Sequence, residues 1–293
     1  MKGYLFAIMA TAIWSGNFII ARGLSDSIPP VTLAFSRWFV AAIVLLPFVY
    51  RSLIAERDVI RKHIGYLSFT GLLGVTVFNT LIYKAGHSTT AINLTLIAIS
   101  FPIFVILLSR FFYQEKIGLV RAVGILTVIG GVLLLITRGN INVLLNVSFH
   151  VGDLLMLCAA FIFAVYNLQV KRKPPELSFW SFQLSTFLLG LIFLSPFFVW
   201  ETQVSGPIDW SAATLIGIAY AGILASLGAF GLWAKAIFLI GPARAVMFYY
   251  TLPLFSGIWA FLLLGERITL LHFFSVLLIS SGIIIANHAG QRS

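Results

Sequence analysis

An arginine inside an apolar run calls for chemistry to justify it, and Arg37 lies seven residues past Pro30 within the stretch from Val31 to Tyr50. In a helix that distance is about 10 Å. So far into hydrocarbon a guanidinium needs partners, and the sequence offers two readings: pairing with Asp26 in the preceding connection, or holding the carboxylate of a substrate. Thr76, Asn79 and Tyr83 follow one another at spacings of three and four, which places them on one polar stripe of a helix. Asn93 and Ser100 stand on a second apolar run, and Arg244, Tyr249 and Thr251 on a later one. Trp14 with Asn17, and Phe163 with Tyr166, each pair an aromatic residue with a polar one three positions on. Stripes of this kind either join helices by hydrogen bonds or line the path of a small solute.

Other chemistries are not provided for. A membrane-embedded enzyme would require a nucleophile with its base, a His/Asp metal set or a phosphate-binding loop, and no such set or complete G-x-x-x-x-G-K-[ST] motif occurs. Cys158 is the single cysteine, so no intramolecular disulfide or thiolate cluster can form. No cofactor or metal is called for. The nine acidic residues, among them Glu115, Asp153, Glu201 and Glu266, fall in connections or near the ends of apolar runs. None of the five histidines is central.

The elements that must position these residues are set by hydropathy. Sixty per cent of the 293 residues are apolar and 10% charged, a balance foreign to soluble domains. Ten runs are long enough to cross about 30 Å of hydrocarbon: 4–21, 31–50, 64–83, 89–112, 119–137, 151–170, 177–200, 212–236, 242–264 and 270–287. They do not alternate with polar residues, and open sheet edges have no place in lipid, so all are expected to be helices. The first resembles a signal peptide only superficially, because nine more apolar runs follow it.

The net charge of +10 is distributed by topology rather than gathered for nucleic acid. With the N-terminus inside, the inner segments carry Lys2, then Arg51, Arg57, Arg61 and Lys62, then Arg110, Lys116 and Arg121, then Lys171, Arg172 and Lys173, then Lys235 and Arg244, and finally Arg292. The outer segments carry Arg22, Lys84, Arg138 and Arg267. This positive-inside bias puts both termini in the cytoplasm, with the basic loops facing anionic lipid. Lys84 and Lys235 end their runs, where long stems let the charge reach the interface.

An internal repeat organises the chain. At an offset of 151, Gly71 meets Gly222, Lys84 meets Lys235, Pro102 meets Pro253, Glu115 meets Glu266 and Gly131 meets Gly282. At 149, Gly3 meets Gly152 and Pro47 meets Pro196. Five runs per repeat is an odd number, so residues 1–140 and 148–290 are expected to insert in opposite orientations, as in alternating-access transporters. Pro102 and Pro253 each lack the amide that would satisfy a carbonyl one turn earlier, at Ala98 and Tyr249, so both helices are expected to kink, as packing bends or as hinges at the pathway. Ser100 and Thr251, two residues before them, could satisfy those carbonyls or contact a solute.

Across nearly its whole length the chain resembles the EamA-type members of the drug/metabolite transporter superfamily. The likeness rests on Phe101-Pro102 to Glu115 to Gly130-Gly131, on Leu252-Pro253 to Gly265-Glu266 to Gly282, on the segment Ala12 to Phe18, and on Arg37 before Trp38-Phe39. It implies ten helices around a central cavity, with the fifth and tenth peripheral, and export of amino acids or other small metabolites. A subgroup exports aromatic and neutral amino acids.

The expectation is therefore an all-α integral membrane protein of ten helices in two inverted halves, in a bacterial-type inner membrane. It is not an enzyme. Its partners are a small-molecule substrate and the bilayer, without nucleic acid, and a monomer is compatible with this. Lacking a central carboxylate, it is expected to move neutral or zwitterionic solutes down their gradient, with weak or no proton coupling. A proton-coupled drug or metabolite antiporter and a channel are the competing readings.

Overall fold

Backbone amides and carbonyls have no water to pair with in hydrocarbon, so a chain of this hydropathy must close its hydrogen bonds within helices. The computed structural model, which describes residues 2–24, 27–89, 97–98, 100–114, 118–137, 139–146, 150–205, 208, 210–264 and 270–289, is helical accordingly. Its main helices are α1 (Lys2–Gly23), α2 (Pro30–Ala55), α3 (Ile64–Gly71, continued by Leu72–Val77 and Phe78–Ser88), α4 (Ser100–Tyr113) and α5 (Leu119–Thr137). There follow α6 (Val151–Lys171), α7 (Phe179–Val204), α8 (Ala212–Ala219, continued by Tyr220–Gly228 and Ala229–Ile240), α9 (Pro242–Ala245, continued by Val246–Thr251 and Leu252–Leu264) and α10 (Leu270–Ala289). Arg57–Lys62 and Asn142–Leu145 are short connecting helices.

Among the described residues, seven helices are long and apolar enough to cross a membrane, namely α2, α3, α5, α6, α7, α8 and α10, while α4 is a shorter apolar helix. Their outer surface is apolar: Phe48 is 83% exposed, Leu119 81% and Leu270 77%. Buried positions include Arg37, Asn79, Asn167, Gln183 and Thr186. That arrangement suits a solvent of lipid, with polar groups gathered inside.

Helix ends are tied down by side chains. Pro30 opens α2, where a missing amide costs nothing because no partner exists there. The other free amides of that end, Val31 and Thr32, donate to Glu201 at 3.1 and 2.6 Å, and the Thr32 hydroxyl adds a bond at 2.9 Å. A carboxylate at a helix N-terminus also meets the positive end of the helix dipole. Asp153 does the same for α6, accepting from the His150 amide at 2.7 Å and from the Thr89 hydroxyl at the end of α3. Ser178 and Ser211 cap α7 and α8.

Packing pairs α1 with α8 and α9, α6 with α3 and α4, and α2 with α7, while α5 and α10 pack mainly on each other. The α5–α10 seam is close because glycines face backbone: a Cβ on Gly124 would stand 2.5 Å from the Ala286 nitrogen, and one on Gly282 2.7 Å from the Gly124 carbonyl oxygen. Small residues allow such approach in a setting where helices gain nothing by hiding from lipid. Gly124→Val is expected to force the pair apart and cost about 1–3 kcal/mol, read as a lower melting temperature of the purified protein in detergent. An unchanged melting temperature would show that the seam is not needed for stability.

Candidate functional site

The guanidinium of Arg37 is the organising charge. It is 2% exposed, and its partners come from two other helices. Nε donates to the Ser226 hydroxyl of α8 at 2.7 Å, and Nη1 donates to the Asn79 amide oxygen at 3.2 Å and to the Tyr83 hydroxyl at 2.7 Å, both on α3. Its carbon also lies 5.4 Å from the centre of the Trp38 ring, within cation–π range. Every one of these partners is neutral. Asp26, the carboxylate considered from the sequence, lies outside the described residues.

Two of the three residues of the α3 stripe therefore meet Arg37, and the third does not. Thr76 donates to the Gly190 carbonyl of α7 at 2.7 Å. The reason is winding: Leu72–Val77 is a π-helix, whose i→i+5 spacing turns residues away from the faces that a 3.6-residue period assigns. Asn79 belongs to that irregularity, because its amide nitrogen donates to the Gly74 carbonyl, five residues back, at 2.9 Å. A second π-helix, Tyr220–Gly228, interrupts α8 and contains Ser226. Neither was legible as a motif.

Trp14 reaches the same segment, donating from its indole nitrogen to the Ala225 carbonyl at 2.9 Å. Arg37 and Trp14 thus hold consecutive residues of α8. Around Trp14 stand Trp233, Phe230, Phe163 and Tyr249, with ring centres 5.1, 5.3, 6.0 and 6.4 Å away. Phe163 stacks on Phe78 at 4.0 Å and lies parallel to Tyr166 at 5.7 Å. Phe101 joins Phe163 to Tyr249 at 4.7 and 4.8 Å, and Trp38 joins Phe230 at 4.8 Å. Asn167 fastens the cluster, accepting from the Trp233 indole at 2.6 Å while donating to the Phe163 carbonyl at 2.6 Å. The ring of Tyr166 lies directly on Gly74. Asn17 is half-buried on α1.

The rings of α1, α6 and α8 pack directly on one another. Phe78, Phe230, Trp233, Asn167 and Ser226 were not singled out from the sequence, and Phe101 entered only beside Pro102. Asn167 and Ser226 carry a usable signal, a polar side chain within an apolar run, whereas the phenylalanines look like any lipid-facing residue.

The two proline positions differ in what the structure describes. In α9, Val246–Thr251 is wound as a 3-10 helix directly before Pro253, and the Tyr249 carbonyl accepts from the Leu252 amide. The carbonyl freed by Pro253 is thus satisfied by tighter backbone winding. Thr251 and Ser100 donate instead to the carbonyls of Phe248 and Ile97, at 2.7 and 2.6 Å. Pro102 is buried in the first turn of the described part of α4. Arg244 lies in the opening turn of α9, beside Ala243, whose carbonyl accepts from Arg121 at 3.1 Å. Asn93, Glu115 and Glu266 lie outside the described residues.

The charges at the helix ends are arranged differently. Lys84 is exposed, whereas Lys235 sits 5.0 and 5.3 Å from the rings of Trp180 and Phe179. In the connection after α6, burial pulls the Lys173 ammonium below its ordinary pKa, against the opposing pull of Glu56 and Glu176. An open pocket of about 480 Å3 lies on the far side of α4, lined by Leu107, Arg110, Phe111 and Gln114.

The sequence profile of the EamA-like transporter family matches residues 1–137 and again 150–287. The chain belongs to that family. It is similar to an uncharacterized transporter of Archaeoglobus fulgidus, 26% identical over 91% of this chain and 90% of that one. A probable amino-acid metabolite efflux pump of Escherichia coli is 26% identical over 97% and 94% of the two chains. A solved crystal structure superposes with a TM-score of 0.78 at 16% identity, covering 99% of this chain and 98% of the other, which speaks for the shared fold. This EamA protein is a multi-pass membrane transporter and not an enzyme.

The double use of Asn79 makes a specific expectation. Asn79→Leu removes an acceptor from a buried guanidinium and the donor of the Gly74 carbonyl, each loss costing about 1–3 kcal/mol. Purified protein should melt at a lower temperature, with Tyr83→Phe milder because it removes only one acceptor. Equal stability of Asn79→Leu and the parent would show that the bonds drawn here are not made.

Proposed function

We propose that this transporter exports small neutral or zwitterionic metabolites, amino acids including aromatic ones foremost, by alternating access of two inverted five-helix halves, driven by the solute gradient. The observation that carries the reading is a buried cation with neutral partners set beside a wall of aromatic rings. A zwitterionic amino acid complements both: its carboxylate suits Arg37, and an aromatic side chain suits the faces and edges offered by Trp14, Phe163, Phe230 and Tyr249.

Several features favour inverted halves. The family profile fits twice. Packing of α1 on α8 has its counterpart in α6 on α3. A Cβ on Gly71 would stand 2.5 Å from the Thr186 carbonyl, and one on Gly222 2.9 Å from that of Arg37, residues that correspond under the repeat offsets. The π-helices of α3 and α8 also fall at corresponding places. In this reading the π and 3-10 segments, with Pro102 and Pro253, are where the helices yield as one face closes and the other opens. Both termini face the cytoplasm, following the basic loops.

Weak proton coupling follows from the charges. Among the described residues, the carboxylates of Asp153 and Glu201 are buried at helix starts, and neither bonds to Arg37. The printed name of the Escherichia coli relative, a probable amino-acid metabolite efflux pump, points to the same substrate class.

Proteoliposomes loaded with mixed amino acids and common metabolites test this. Saturable counterflow of neutral amino acids is expected, with net flux keeping its direction when the pH gradient is reversed at a fixed solute gradient. Reversal of flux with the pH gradient would support the antiporter reading instead, and unsaturable ion currents a channel.

A further inference from the structure

We propose that the Arg37–Ser226 contact is a lock between α2 and α8, opened when the carboxylate of a substrate takes the place of the Ser226 hydroxyl. This rests on the export reading and adds to it the group that triggers movement. The argument starts from the shape of the guanidinium. Its Nη1 is occupied by Asn79 and Tyr83. The Nε–H and the neighbouring Nη2–H form a side-on fork, and among the described residues that fork holds one acceptor, Ser226 on Nε. A carboxylate would bond to both arms at once, and charge-assisted bonds of this kind are roughly twice as strong as neutral ones. The two ligands cannot share the edge, so a bidentate carboxylate must displace Ser226.

Displacement matters because of where Ser226 lies. It belongs to the π-helix of α8, in a stretch that also touches α2 through Gly222, close to Val40 and to the Arg37 carbonyl. The indole of Trp14 holds the adjacent Ala225 carbonyl. With Ser226 released, α8 remains attached to α1 and loses its polar tie to α2, so the α2–α8 seam is the one that opens. The substrate's apolar part then faces Trp38, beside the guanidinium, and Phe230, whose ring stands 4.8 Å from that of Trp38. The corresponding seam of the other half has Thr186 and Val75 where this one has Arg37 and Ser226. It has no cation to address, so the carboxylate acts on one face of the protein alone.

Full-length protein in detergent tests the lock, with phenylalanine and phenylalaninamide as probes that differ at the carboxylate. Phenylalanine should bind at least about 10-fold more tightly than the amide, and Arg37→Gln should abolish the difference. Ser226→Ala removes the competitor for the fork and should tighten phenylalanine binding about 3- to 10-fold. A residue serving only to hold the fold would weaken binding when altered. Spin labels at Phe39→Cys and Ile223→Cys, placed in a Cys158→Ala background, should move apart on adding phenylalanine and stay put with the amide. Equal affinity for the two probes, weaker phenylalanine binding by Ser226→Ala, or an unchanged label distance at saturating phenylalanine would each overturn the lock. Failure to bind either probe, in protein that shows counterflow of another solute, would overturn it too and spare the export reading. Absence of counterflow for every solute would overturn the export reading and this inference together.

Discussion

Hydrocarbon offers no hydrogen-bonding partner, and that single constraint governs both the regular and the irregular parts of this fold. Where helices are regular, the backbone satisfies itself and the side chains are free to be apolar. Where α3, α8 and α9 change to π or 3-10 winding, carbonyls fall out of step and must be met from elsewhere. Asn79 meets Gly74, Trp14 meets Ala225, and a 3-10 bond meets Tyr249. Each of these contacts also involves a residue of the candidate pathway. The polar side chains of the interior are therefore tied to the places where the helices deviate, and a transporter that bends at these places would disturb its own pathway in doing so.

That the chain folds into apolar helices follows from run length, because a membrane permits so few solutions. Arg37 was conspicuous for the same reason: a cation is costly in hydrocarbon, so its need for partners was foreseeable, and Asn79 and Tyr83 stood at helical spacing to meet it. Ser226 was overlooked, since one serine between Ala225 and Leu227 looks like a small residue helping helices to approach. The turning of Thr76 toward Gly190 could not be read. Apart from Thr76, Tyr220 and Ser226, Leu72–Val77 and Tyr220–Gly228 are composed of the same Leu, Ile, Val, Ala and Gly as the regular helices around them, so nothing in their composition announces π winding. Pro253 did announce the altered winding of α9, because the missing amide is written in the residue itself. The remedy, tighter backbone winding rather than the Thr251 hydroxyl, was settled by local geometry.

The aromatic cluster answers a different problem. Aliphatic side chains meet at many small contacts, whereas flat rings meeting edge to face give large areas of contact with few rotatable bonds. Trp14, Phe163 and Trp233 are held by hydrogen bonds at or beside their rings, so the cluster is positioned rather than merely compacted. Family membership accounts for the scaffold, and this chain's own residues decide what it favours.

Glu201 gives the scaffold a mechanical property. By binding the first amides of α2 from the end of α7, it joins the two longest unbroken helices at one extremity. At 1.5 Å per residue the 26 residues of α2 extend about 39 Å. With that end as a fulcrum, a tilt of about 5° moves the level of Pro47, the proline inside α2, by about 2 Å and the level of Arg37 by under about 1 Å. The helix is then a lever with its load arm beyond Arg37, turning a slight adjustment around the guanidinium into a larger displacement.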